Sequence, residues 1–193
     1  MKRCSLALVA VTLLAIVGTN LYGQGQSQNQ APSPALSRAD ETLDMWNEIG
    51  NKLIAMARDF PEDKYDFKLQ KHQRTFAETL LHVAAVDDDL MRSISGSNIG
   101  PDFGKNKHNP SRDVYKTKAD VVKLMQQAIA DGANLIKQQG DAGLDKITNY
   151  AWGNRLVHNS HTWMWAIEHS GEHYGQLVVY YRANDLVPPD SRR

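Results

Sequence analysis

Apolar residues recur at helical spacing in four stretches of the chain. Leu43, Trp46, Leu53, Ile54 and Ala57 mark the first, opened by Ser37 with Asp40 three residues on and closed at Phe60, ahead of Pro61. The second runs from about Phe76 to Ile94 and carries Leu80, Val83, Val86, Leu90 and Ile94. It starts at a capping box, Thr75 with Glu78, in which hydroxyl and carboxylate each satisfy an orphan backbone N–H, and it stops at Gly96. The third follows Thr117, with Asp120 at the box position, and holds Val121, Leu124, Met125, Ala128, Ile129, Leu135 and Ile136 as far as Gly140. The fourth begins between Asn159 and Thr162, continues through Trp165, Ile167, Leu177, Val178 and Tyr181, and ends before Pro188 and Pro189. No stretch shows the alternation of a half-buried strand, although FKLQ near Phe67 and NYAWG near Tyr150 fit short ones. Four one-striped helices can hide their stripes only from one another, so the expected fold is all-α, a four-helix bundle. Residues 96–116, rich in Gly, Asn and Pro, form a long loop between the second and third helices, and loops of that length in compact domains commonly carry function.

Ahead of the bundle lies a different kind of sequence. Lys2 and Arg3 precede an uncharged apolar run from Leu6 to Val17, followed by small residues between Gly18 and Gly23. This is the pattern of a secretory signal, and the run is shorter than the roughly 20 apolar residues of a membrane span. The expected organisation is a signal peptide at 1–23, a polar disordered leader at 24–36 and one helical domain at 37–191. Cleavage leaves no membrane anchor and places the protein outside the cytoplasm, in the periplasm of a bacterium or the medium. It also removes the single cysteine, Cys4, and two positive charges, so that 22 Lys+Arg against 22 Asp+Glu becomes 20 against 22. A chain with balanced charge has no basic footprint for nucleic acid, and one without cysteine can build a metal site only from imidazole, carboxylate or water.

Of seven histidines, His169 and His173 stand four apart on the fourth helix, one turn from each other on one face. Their neighbours Trp163, Trp165, Ile167, Leu177 and Val178 turn that face inward, where imidazoles without partners are costly to desolvate. His82, between Leu80, Leu81 and Val83 on the second helix, is the candidate third member. Three imidazoles without carboxylate or thiolate leave positions open for water or substrate, as catalytic rather than structural metal sites do. The set suits a divalent transition metal, Zn, Ni or Fe and equally Cu. Glu172, His161 and Tyr174 are the candidate proton carriers, while Trp46, Trp163, Trp165 and Tyr180 read as packing residues and His72 and His108 as loop residues. The stretch from His169 to His173 also fits the H-x-x-E-H signature of inverted zinc peptidases, with Glu172 as base. That family takes its third ligand from a Glu far downstream, and only 20 residues follow His173.

The block EHSGEHYGQLVVYYRANDLVPPDS, with the His of TLLHVA upstream, resembles the DinB-like (DinB/YfiT) family, whose signature is H-x-x-x-H-R-G-Q followed by an Arg and a closing Pro. The resemblance implies a bundle of up-down-down-up connectivity, often dimeric, that binds a divalent metal through His82, His169 and His173. Gly175 and Gln176 match the G-Q of the signature and Arg182 its later Arg, whereas Tyr174 stands where Arg is usual. Relatives with assigned activities include transferases and isomerases that use low-molecular-weight thiols, and many others are labelled hydrolases. Such thiols are scarce outside the reducing cytoplasm, so thiol transfer is less expected here than in a cytoplasmic relative, and the expected function is that of a metal-dependent hydrolase or transferase acting on a small molecule. The alternative is a non-catalytic metal- or ligand-binding bundle.

Overall fold

The computed structural model describes residues 34–104 and 107–192. The expected signal peptide and most of the expected leader lie outside the described residues. Four helices dominate: α1 (Arg38–Asp59), α2 (Phe76–Ser95), α3 (Lys118–Leu144) and α4 (Asn159–Arg182). Two short strands, β1 (Ile147–Asn149) and β2 (Leu156–His158), pair antiparallel just before α4. Among the described residues, no helix is long and apolar enough to cross a membrane.

The helix starts are those encoded by the caps. The Thr75 hydroxyl accepts from the Glu78 amide (3.0 Å) while Glu78 accepts from the Thr75 amide (2.7 Å), and Thr117 and Asp120 repeat the arrangement. Gly96 ends α2 at φ 68°, a left-handed conformation suited to glycine. Gly140, at φ 56° and ψ −165°, only interrupts α3, which continues to Leu144. The FKLQ segment forms no strand. The NYAWG segment supplies only its first residue to β1, and the rest is the turn of the hairpin.

Contacts along the bundle fix its connectivity. The start of α1 meets the end of α3 where Asp141 accepts from the Ala39 amide (2.8 Å), so these helices are antiparallel. The ends of α2 and α3 meet at Ile94 and Gln139, and the ends of α1 and α4 meet at Asp59 and Tyr181, so each of these pairs is parallel. Tyr180, near the end of α4, donates to the carbonyl of Arg74 at the start of α2, which makes that pair antiparallel. The directions are therefore up, down, down, up. Because α2 and α3 point the same way, the chain must travel back along the bundle between them, about 30 Å for a helix of 20 residues. The long loop is first of all a consequence of this topology.

The core has two parts. One gathers Leu53, Met56, Phe60, Phe76, Leu80, Leu177 and Tyr181, and the other gathers Trp46, Val86, Leu90, Ile129, Ile136 and Trp163. Where one gives way to the other, α2 and α4 present polar side chains to each other instead of apolar ones: His82 against His169 and His173, and Asp87 against Ser170.

Candidate metal centre

The three histidines expected from spacing converge. Nε2 of His169 lies 3.1 Å from Nε2 of His173 and 3.4 Å from Nε2 of His82. His169 and His173 are almost wholly buried and His82 is half-buried. Burial is the main reason that protonation is disfavoured on all three, with the His82 imidazole pushed down to about 4 and that of His169 to about 3. At neutral pH the rings are uncharged, the state in which imidazole binds metal.

Two of the rings are also held in the required tautomer. His82 donates its Nδ1–H to the carbonyl of His108 (2.5 Å), and His173 donates its own to Oε1 of Gln176 (2.9 Å). Each therefore turns a bare Nε2 lone pair toward the centre. His169 has no partner at its buried Nδ1, and its ring lies nearly parallel to the indole of Trp165, 15° between planes and 4.8 Å between centroids. Lone pairs aimed at one another repel unless a proton or a cation lies between them. Metal–nitrogen bonds of about 2.0–2.1 Å at angles between octahedral and tetrahedral put neighbouring nitrogens about 2.8–3.4 Å apart, a range that holds both distances to His169. The residues fit a divalent cation, and among the described residues they form the one such cluster of three potential ligands.

The expected proton carriers lie elsewhere. Glu172 is exposed and touches the site only through Gln176, whose amide donates to it (3.3 Å). His161 packs on the ring of Tyr150 and contacts Arg155 (3.2 Å), and Tyr174 leans toward Asp190 and Lys52. Three residues not expected at the site belong to it. His108, on the returning loop, holds His82 through its backbone, while its ring Nε2–H donates to Asp89 (3.0 Å). Trp165 stacks on His169 and continues to Trp152, 4.3 Å away between centroids, so besides packing against the core it forms a wall of the site. Its position at 165, ahead of 169 and 173 in steps of four, was the available signal. Gln176, matched above to the signature without a role, orients His173.

A buried three-imidazole centre between antiparallel helices of an up-down-down-up bundle defines a class of metal-binding helical proteins. The sequence profile of the DinB superfamily matches residues 45–177, more than half of the chain, and the protein belongs to that superfamily. Solved structures agree on the fold. A DinB-like protein from Bacillus cereus superposes with a TM-score of 0.66 at 14% identity, covering 78% of this chain and 95% of its own. The DinB-like protein YjoA from Bacillus subtilis gives 0.60 at 19% identity, with 79% and 99% covered. YfiT from Bacillus subtilis, described as a probable metal-dependent hydrolase with an unusual four-helix bundle topology, gives 0.57 at 12% identity, with 81% and 94% covered. No curated protein matches the chain.

Proposed function

We infer that this protein is an exported hydrolase of a small molecule, dependent on a divalent transition metal held by His82, His169 and His173. The observation that carries the reading is the convergence of three Nε2 atoms whose rings are neutral and, for two of them, fixed in orientation from behind. When bound, such an ion supplies Lewis-acid polarisation and activation of water. The chain's own residues supply the rest. Trp165 and Trp152 shield one side of the centre from solvent. His108, whose Nε2–H is engaged by Asp89, keeps Nδ1 to take or give a proton, and it lies close enough for its charge to bear on His82 and His169. It replaces Glu172, His161 and Tyr174 as the proton carrier.

Elemental analysis of the purified protein, combined with a panel of esters, amides and lactones, tests the reading. One metal per chain is expected, together with hydrolysis of at least one class of substrate. His108→Gln should keep the metal and lose about a hundredfold in rate. Metal content near zero, or unchanged in His169→Ala, defeats the proposal. The displacement of Glu172, His161 and Tyr174 from the centre favours a second reading, a non-catalytic metal-binding bundle, and stoichiometric metal without turnover across the panel would select it. Export rests on the N-terminal pattern. N-terminal sequencing of protein recovered outside the cytoplasm should begin near residue 24, and a retained Met1 would remove that part of the proposal.

A further inference from the structure

We propose that Arg74 is the binding group for an anionic substituent of the substrate, a carboxylate or a phosphate, held in fixed register with the three histidines. The proposal deepens the functional reading above and rests on it for what the anion is used for, but not for whether the anion binds.

Arg74 immediately precedes the cap of α2 and lines a cavity of about 480 Å³, together with His72, Asn109 and Arg112 and two carboxylates, Glu78 and Asp113. Its guanidinium is half-buried and, among the described residues, has no carboxylate partner. The nearby acids are engaged elsewhere. Glu78 accepts from the Thr75 amide (2.7 Å) and faces Lys68 (3.7 Å), Asp113 accepts from the Ser111 hydroxyl (3.2 Å), and Asp66 is gripped by Arg112 through two bonds of 2.8 and 3.2 Å. What Arg74 does contact is neutral: Nε and Nη2 both donate to Oδ1 of Asn109, at 3.0 and 2.9 Å. Two of five N–H groups are thereby used, and the Nη1–Nη2 end of the fork keeps the other three. A partly desolvated cation with an uncommitted fork matches a planar carboxylate or a phosphate.

The placement relative to the metal centre is built into the chain. His108 and Asn109 are consecutive. The carbonyl of the first orients His82, and the side chain of the second orients Arg74. The main chain of Arg74 is pinned from the other side by the hydroxyl of Tyr180, seven residues beyond His173 on α4. Its positive charge is near enough to disfavour protonation of all three histidines. A substrate anchored on Arg74 is thereby tied to the same loop that orients His82.

The test is calorimetric titration of glutarate and of inorganic phosphate into the metal-free protein, comparing wild type with Arg74→Met, Arg74→Lys and His169→Ala. Wild type should bind one anion per chain at millimolar concentration, and preference for one of the two ions identifies the substituent. Arg74→Met should weaken binding by about tenfold or more, and Arg74→Lys, which keeps the charge without the fork, by less. His169→Ala should bind the anion as wild type does, so a failure of the metal reading leaves this result standing. Melting curves check that each variant is folded. The proposal is overturned if wild type binds neither anion, or if Arg74→Met binds as well as wild type.

Discussion

The two seams of this bundle are built to opposite ends. Between α1 and α3, Trp46 is wholly buried, its indole N–H donating to the carbonyl of Ile129 (2.9 Å), and Gly132 lies directly against its ring. Gly50 is pressed against Ile129 in the same way, so a Cβ at either glycine would collide with its neighbour. Between α2 and α4 the buried side chains include His169, His173, Ser170 and Asp87, with Oδ1 of Asp87 and Nδ1 of His169 left unpartnered. The first seam is closed by shape and gains stability from contact. The second carries desolvated polar groups that cost stability unless something binds them. Binding chemistry and structural support are thus assigned to different helix pairs, joined by the edge-on contact of Trp46 with Trp163 (5.4 Å).

This division is broken or kept by substitutions on either side of it. The largest effect belongs to His169→Ala, which removes the central ring of the triad. Metal affinity, measured by chelator competition, should fall by more than about a hundredfold, beyond what loss of an orienting partner costs. Melting of the metal-free protein should change little. Trp46→Ala should do the reverse, costing about 3–5 kcal/mol in urea unfolding while the folded protein keeps its metal. Loss of metal from folded Trp46→Ala would mean that the seams are not separate. Gln176→Leu should fall between them, with metal affinity down by about 10–100-fold and stability nearly unchanged, because it frees the His173 ring without exposing core.

The parts that could be read in the sequence are those encoded locally. Apolar spacing located all four helices, and the boxes at Thr75 and Thr117 marked two helix starts to the residue. The His169–His173 pair was legible because one turn of helix puts both on one face, and His82 because its surroundings were apolar. The strands at 147–149 and 156–158 were hidden because they are short and form one hairpin around Tyr150 rather than alternating against a core. His108 was hidden for a deeper reason. Its hold on His82 is made by a backbone carbonyl, which every residue possesses, and only the path of the return loop brings it there. Arg74 and Asn109 are 35 residues apart and likewise meet only through that path.

The smallest effect concerns a buried carboxylate outside both seams, on the side of α2 that faces the return loop. Asp88, on α2, is fully buried with both carboxylate oxygens unpartnered, and the backbone of Gly100 at φ 69° lies so close that a Cβ there would strike the carboxylate. Burial pushes its pKa up to about 7, the Asp131 charge adds to the rise, and Arg92 opposes it. The native state therefore keeps this proton where the unfolded chain has released it. Stability from this group is full below about pH 4 and drains away as pH rises toward 7. His82 and His169 act with the opposite sign, weakening the metal-free fold as pH falls from about 6.5 toward 4, so the total curve mixes both trends. Asp88→Asn isolates one of them by removing the charge at nearly constant shape. The variant should match wild type near pH 4 and exceed it near pH 8, by on the order of 1–2 kcal/mol in urea unfolding. An equal gain at both pH values would show that packing, and not a buried charge, limits this part of α2.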